Sequence, residues 1–251
     1  LNMLASIALS ESSVPSNDVS NSPIENIEIS INSIADLIAI VDKYPLSDKK
    51  YNIDVKMLHT IQTELRELDS MIGIVSLKSA ILDQLLYYLQ GFHLQGSADD
   101  YKHTVLCGPP GSGKTEIAKI IGRMYSKMGV IKKPVGTSAG TGTATGTNAN
   151  FKKITRADLV AGYLGQTAIK TKNVITESLG GVLFFDEAYS LDDRYGDDRK
   201  GFGAEVTDCL VKQMEDRRER LMVILAGYTE PIKEFIGTNA GLKSRIPTFI
   251  E

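Results

Sequence analysis

Apolar positions change their spacing along the chain, and each change marks a different kind of element. Residues 11 to 23, "ESSVPSNDVSNSP", are rich in Ser, Asn and Pro and predict a flexible lead-in over 1–23. Ile34, Leu37, Ile38 and Val41 then recur at the spacing of one helical face, and Leu58, Ile61, Leu65 and Leu68 do so again. These predict a small helical appendage over 24–67 that must dock on something. Leu77, Ile81, Leu85 and Leu89 predict another helix at 75–90, ended by Gly91. From 103 the period shortens, because "HTVLC", "FKKIT", "GVLFFD" and "LMVILAG" are short apolar or β-branched runs separated by helical patterns. That alternation predicts a parallel sheet with helices on both faces. The tract "PVGTSAGTGTATGTNAN" at 134–150 has no apolar period and reads as a surface-loop insertion, tolerated because closure entropy grows slowly with length.

Composition changes this picture little. The 251 residues are 42% hydrophobic and 24% charged, as in ordinary globular proteins. A formal charge of -3 offers no general attraction to nucleic acid or anionic lipid, so neither partner is supported. Cys107 and Cys209 lie far apart in apolar segments, suggesting buried thiols and a reducing, cytoplasmic setting. No apolar run approaches the roughly 18 residues that span a bilayer, and "LNMLASIALS" lacks the basic flank of a signal peptide. It also lacks an initial Met, as a fragment would. His59, His93 and His103 form no metal spacing, and "DDRYGDDRKGFG" at 192–203 lacks the terminal Glu of a calcium loop.

Candidate chemistry starts at "GPPGSGKT", residues 108–115, placed between the run "TVLC" and the helical pattern "EIAKIIGRMY". That context gives the G-x-x-x-x-G-K-[ST] spacing its meaning as a phosphate-binding loop. Gly108, Pro109, Pro110, Gly111, Ser112 and Gly113 would turn the backbone so that its N–H groups and the following helix terminus face phosphate oxygens. Lys114 would neutralise the outer phosphates, and Thr115 would offer its hydroxyl to Mg²⁺. "GGVLFFDEAYSL", 180–191, ends an apolar run on Asp186 and Glu187, where open parallel sheets bind ligands. Asp186 would hold the Mg²⁺ shell and Glu187 would activate water. With no N-K-x-D guanine motif, ATP is favoured over GTP.

Taken together, "ITRADLVAGYLGQTAIKTKNVI", "GGVLFFDEAYSL", "MEDRRERLMVILAGYTE" and "GLKSRIPTFIE" make residues 68–251 resemble an AAA+ ATPase. Within that family the likeness is to the branch of CbbX-type activases of red-type Rubisco and SpoVK-like sporulation ATPases. The resemblance implies an α/β P-loop NTPase subdomain over 68–251, with five parallel strands in the order 5-1-4-3-2. It also implies a homo-oligomeric, hexameric ring acting on a protein client. "AGYLGQ" matches the first pore loop, with Tyr163 and Leu164 in the channel; the residues alone equally allow Tyr163 to pack on its own subunit. "GLKSRIPTFIE" matches the arginine-finger segment, with Arg245 at that position and Lys243 where a second basic residue is common. A polar sensor falls on Thr229 rather than Tyr228. Ile72 and Gly73 would lie along the adenine, although a plain helix lead-in fits them nearly as well. The family continues into a helical lid past the point where this sequence stops, at Glu251. An ATP-dependent assembly component with little hydrolysis is the alternative reading, and the client is unnamed by the sequence.

Overall fold

A computed structural model describes residues 24–47, 49–95, 101–133, 150–162, 165–192, 194–195 and 201–251. The predicted lead-in, both Tyr163 and Leu164, and all of the expected insertion at 134–150 except Asn150, which begins a strand, lie outside the described residues.

The first elements are the two-residue strands β1 (Ile24–Glu25) and β2 (Lys50–Tyr51), paired in parallel, and α1 (Ile34–Lys43) between them. Ser33 and Asp36 form a reciprocal capping box that starts α1. Next come α2 (Val55–Thr60), α3 (Gln62–Ser70), α4 (Val75–Leu89) and α5 (Phe92–Gln95). The apolar series Leu58, Ile61, Leu65 and Leu68, expected on one helix, is split between α2 and α3 at Ile61. All four side chains are nevertheless fully buried, because the break keeps their shared face.

A five-stranded sheet follows: β3 (Thr104–Cys107), β4 (Asn150–Ile154), β5 (Gly181–Phe185), β6 (Leu221–Gly227) and β7 (Thr248–Ile250). Its order is β4-β5-β6-β3-β7 with every pair parallel. Counted from β3 as the first strand, this is the 5-1-4-3-2 order of the P-loop AAA+ fold. The connecting helices are α6 (Lys114–Lys127), α7 (Arg156–Leu159), α8 (Thr167–Glu177), α9 (Phe202–Asp216), α10 (Thr229–Thr238) and α11 (Ala240–Arg245).

Strand alternation divides the interior into two clusters. Leu106, Val182, Phe184, Met222, Ile224 and Ala226 face α1–α4 and α6, whereas Val105, Leu183, Phe185, Val223 and Leu225 face α9 and α10. The helices of residues 34–70 thus share one apolar cluster with α6, the helix that follows the phosphate loop. A buried carboxylate reinforces that contact: Glu64 on α3 lies 2.9 Å from Lys127 and 3.6 Å from Arg123 of α6. On α9, Val206, Leu210 and Met214 are fully buried, but Cys209, expected to be a buried thiol, is only half-buried at the helix margin. Cys107 is buried at the end of β3, and burial pushes its thiol pKa up to about 11.

Candidate nucleotide site

Strand β3 leaves the sheet at Cys107, and the Gly108 N–H donates to the Gly227 carbonyl at 3.2 Å, so the loop starts tied to the end of β6. Gly111 (φ 75°) and Gly113 (φ 79°) occupy the left-handed region, which a side chain would strain. Gly113 then caps α6, so the first turn of that helix turns its free N–H groups toward the loop. The Lys114 ammonium donates to the carbonyls of Gly108 (2.9 Å) and Pro109 (2.7 Å) and to the Ser112 hydroxyl (3.3 Å). These partners are uncharged. A phosphate anion would be a stronger one.

A cleft of about 390 Å³ opens over this loop. Pro110 to Glu116 form one wall, Asp186, Glu187 and Tyr189 a second, and Gly227 with Tyr228 a third. Asp186 follows β5 directly; its N–H donates to the Ile154 carbonyl at 3.1 Å, and its carboxylate pairs with Lys153 at 2.7 Å. Glu187 sits at φ 53° and ψ 46°, a left-handed conformation that costs a non-glycine residue on the order of 1–3 kcal/mol. That kink separates the two acids: Asp186 is half-buried, while Glu187 is exposed; its carbonyl accepts from the Ser190 N–H at 2.8 Å, and its carboxylate has no hydrogen bond or ion pair among the described residues. Tyr189 lies behind them, and burial with the nearby Glu187 charge raises its phenol pKa, so it remains a neutral hydroxyl.

The other expected residues are distributed as follows. Ile72 is fully exposed, beside Gly73 (φ 76°) and Ile74 (φ 49°), while its neighbour Met71 reaches the phosphate loop, with Cε 3.4 Å from where a Gly113 Cβ would stand. Thr229 opens α10, and its neighbour Tyr228, the N-cap, lines the cleft. Arg245 closes α11 far from the loop. Its Nε and Nη2 each lie 3.0 Å from the Glu215 carboxylate, which also accepts from the Tyr101 hydroxyl. Tyr101 precedes the amino end of β3, and the phosphate loop follows the carboxyl end, so four strand residues, about 13 Å, separate the two sites at minimum. Of the expected pore segment, the flanking residues Ala161 and Gly162 follow α7, and the Ala161 N–H donates to the Thr167 hydroxyl at 3.2 Å; Tyr163 and Leu164 lie outside the described residues.

Sequence reasoning missed Glu116, Lys153, Tyr189 and Gly227 as neighbours of the acids and the loop. Glu116 could have been found, since it directly follows the motif. Gly227 carried no local signal: a Cβ there would come within 2.8 Å of the Tyr189 ring, a contact that exists only once the two elements meet. Lys153 carried none, because its partner lies on another strand.

Residues 104–241 match the family "ATPase family associated with various cellular activities (AAA)". That is more than half of the chain. The chain belongs to the AAA family of ATPases. Relatives of this AAA protein include the ESX-1 secretion system protein EccA1 of Mycobacterium tuberculosis, 38% identical over 74% of the chain and 30% of that protein. Stage V sporulation protein K of Bacillus subtilis is 42% identical over 59% of the chain and 41% of its own length. The AAA chain therefore spans well under half of these relatives. Among solved structures, the FIGL-1 AAA domain in complex with ADP aligns with 62% of this chain and 44% of its own, at 20% identity and a TM-score of 0.40. No helix among the described residues is long and apolar enough to cross a membrane.

Proposed function

We propose that this AAA protein binds ATP with Mg²⁺ over Gly108–Thr115 and hydrolyses it as the motor core of a hexameric ring that remodels a protein client. One observation carries this reading: the glycine loop, Lys114, Asp186 and Glu187 all border a single cleft at the carboxyl end of the sheet. Thr115 and Asp186 bring hard oxygen donors to that cleft, and no group of three His, Cys, Asp or Glu among the described residues could cage a metal. This donor set fits Mg²⁺, which keeps waters and relies on one or two carboxylates plus substrate phosphates. When bound, Mg²⁺ neutralises charge on the phosphate oxygens. Lys114 exchanges its carbonyl partners for phosphate, and the unpaired Glu187 orients water and accepts its proton.

Arg245 stands too far from its own loop to serve it, which supports action on a neighbouring copy. Tyr163 and Leu164 would grip an extended polypeptide in the channel. A polypeptide client also accords with a relative being named as a secretion-system protein. Thr229 would sense the outer phosphate, and Ile72 with Gly73 would flank the adenine. The test is Glu187→Gln, which should retain ATP binding, measured with a fluorescent nucleotide, and lose phosphate release. Unchanged turnover would remove Glu187 from the chemistry.

One observation favours a second reading, a nucleotide-gated assembly component with little hydrolysis. Each guanidinium nitrogen of Arg245 already bonds within its own chain, to Glu215, Gly241 and Ser244. Sedimentation with and without ATP, alongside phosphate release, separates the two. ATP-dependent oligomers with negligible release would select the second.

A further inference from the structure

We infer that Lys153 is a built-in counter-ion for Asp186, one that Mg²⁺ must displace to reach this carboxylate, so that Lys153 sets the metal affinity of the site. The inference rests on the proposed metal role of Asp186. Lys153 belongs to the edge strand β4, and its ammonium lies 2.7 Å from Asp186 Oδ2. Strand alternation sends the adjacent Lys152 the other way, onto Glu177 of α8. Lys114 is held by loop carbonyls and the Ser112 hydroxyl, so the charge facing Asp186 comes from β4 and not from the phosphate loop. Lys153 does not line the cleft; it approaches the carboxylate from the strand side.

Two cations cannot share that carboxylate without mutual repulsion, so metal entry and the ion pair compete. The pair is half open to solvent, with side-chain exposures of 48% and 29%, and such pairs contribute at most about 1 kcal/mol. A divalent ion held also by phosphate therefore wins, but against a measurable handicap. Its arrival frees a residue two positions before Thr155, the N-cap of α7, on the segment that leads to residues 161–166.

The experiment uses the full chain with ADP and Mn²⁺ as the metal probe, reading free Mn²⁺ by electron paramagnetic resonance. Lys153→Met should tighten Mn²⁺ binding about two- to fivefold, the equivalent of a partly exposed pair. The gain should vanish in an Asp186→Asn background, and ADP affinity in chelator should not change. Mn²⁺ binding unchanged or weakened by Lys153→Met overturns the inference alone, provided Asp186→Asn still weakens it. If Asp186→Asn leaves Mn²⁺ binding intact, the metal reading of Asp186 fails as well. A fall in metal-free ADP affinity would make Lys153 a phosphate ligand, also against the inference. Lys153→Gln repeats the test should Lys153→Met lower the melting temperature.

Discussion

At its amino end, β3 enters the sheet through Tyr101 and His103, where nearly every polar group has a fixed partner. His103 is fully buried; its Nδ1 accepts from the Val223 N–H at 3.0 Å and its Nε2–H donates to the Met214 carbonyl at 3.4 Å. Glu215 collects the Tyr101 hydroxyl, Arg218 and Arg245 on one carboxylate. At its carboxyl end, the same strand runs into left-handed glycines, a lysine held by uncharged partners, a strained Glu187 whose exposed carboxylate is unpaired among the described residues, and an Asp186 with one half-exposed counter-ion. One end is saturated with bonds, and the other keeps its charges available. Groups that must exchange partners during a reaction cannot also be the ones that lock the fold.

The sharpest tests of this contrast are kinetic. Glu187→Gln should lower phosphate release about a thousandfold while leaving thermal stability near the parent value, since a general base contributes 10²–10⁴ and this exposed carboxylate has no bonding partner among the described residues. Arg245→Ala should lower it by a similar factor of about a thousand, although the residue sits at the saturated end. A loss with unchanged nucleotide affinity, relieved by mixing with Glu187→Gln subunits, would show that Arg245 acts on a neighbour. Retained turnover would make it a structural member of the Glu215 network.

The next effect is on stability. Burial, aided by the positive charges of Lys102 and Arg245, depresses the His103 pKa from 6.5 to about 4. The unfolded chain therefore binds more protons than the folded one between those values, and stability falls as pH drops through that window. The His103 contribution should shrink by about 2 kcal/mol between pH 7 and pH 5 in urea titrations. His103→Gln should flatten that slope, and an equal slope in the variant would refute the assignment. Tyr101→Phe should have the smallest effect, about 1 kcal/mol from one hydrogen bond to a partly exposed carboxylate. A larger loss would mean that the amino-end network is more cooperative than its separate bonds.

Much of the carboxyl end was legible because its features are local. A glycine turn, a lysine and a threonine in order after an apolar run require a strand-loop-helix unit wherever they occur. Likewise an apolar run ending in two acids places them at a strand terminus. The amino end was nearly illegible. His103 gave no hint of its buried, doubly bonded ring, because its partners come 111 and 120 residues later. β7 is only three residues long, too short for periodicity to register, and its place in the sheet was expected from the family resemblance alone. Which of Tyr228 and Thr229 lines the cleft depends on one residue of register at the start of α10, which only the backbone path shows: Tyr228 lines it, and Thr229 begins the helix.

Sequence alone thus determined what depends on neighbours along the chain: the two apolar periods, the phosphate loop, the acids at the end of β5 and the alternation of strand and helix. Tertiary structure decided what depends on strands coming side by side: the pairing of Lys153 with Asp186, the commitment of Arg245 to Glu215, and the docking of the α1–α3 helices onto α6. The physical reason is range. Backbone sterics and hydrophobic period act over a few residues, whereas charge pairing and burial depend on distances that no sequence separation encodes.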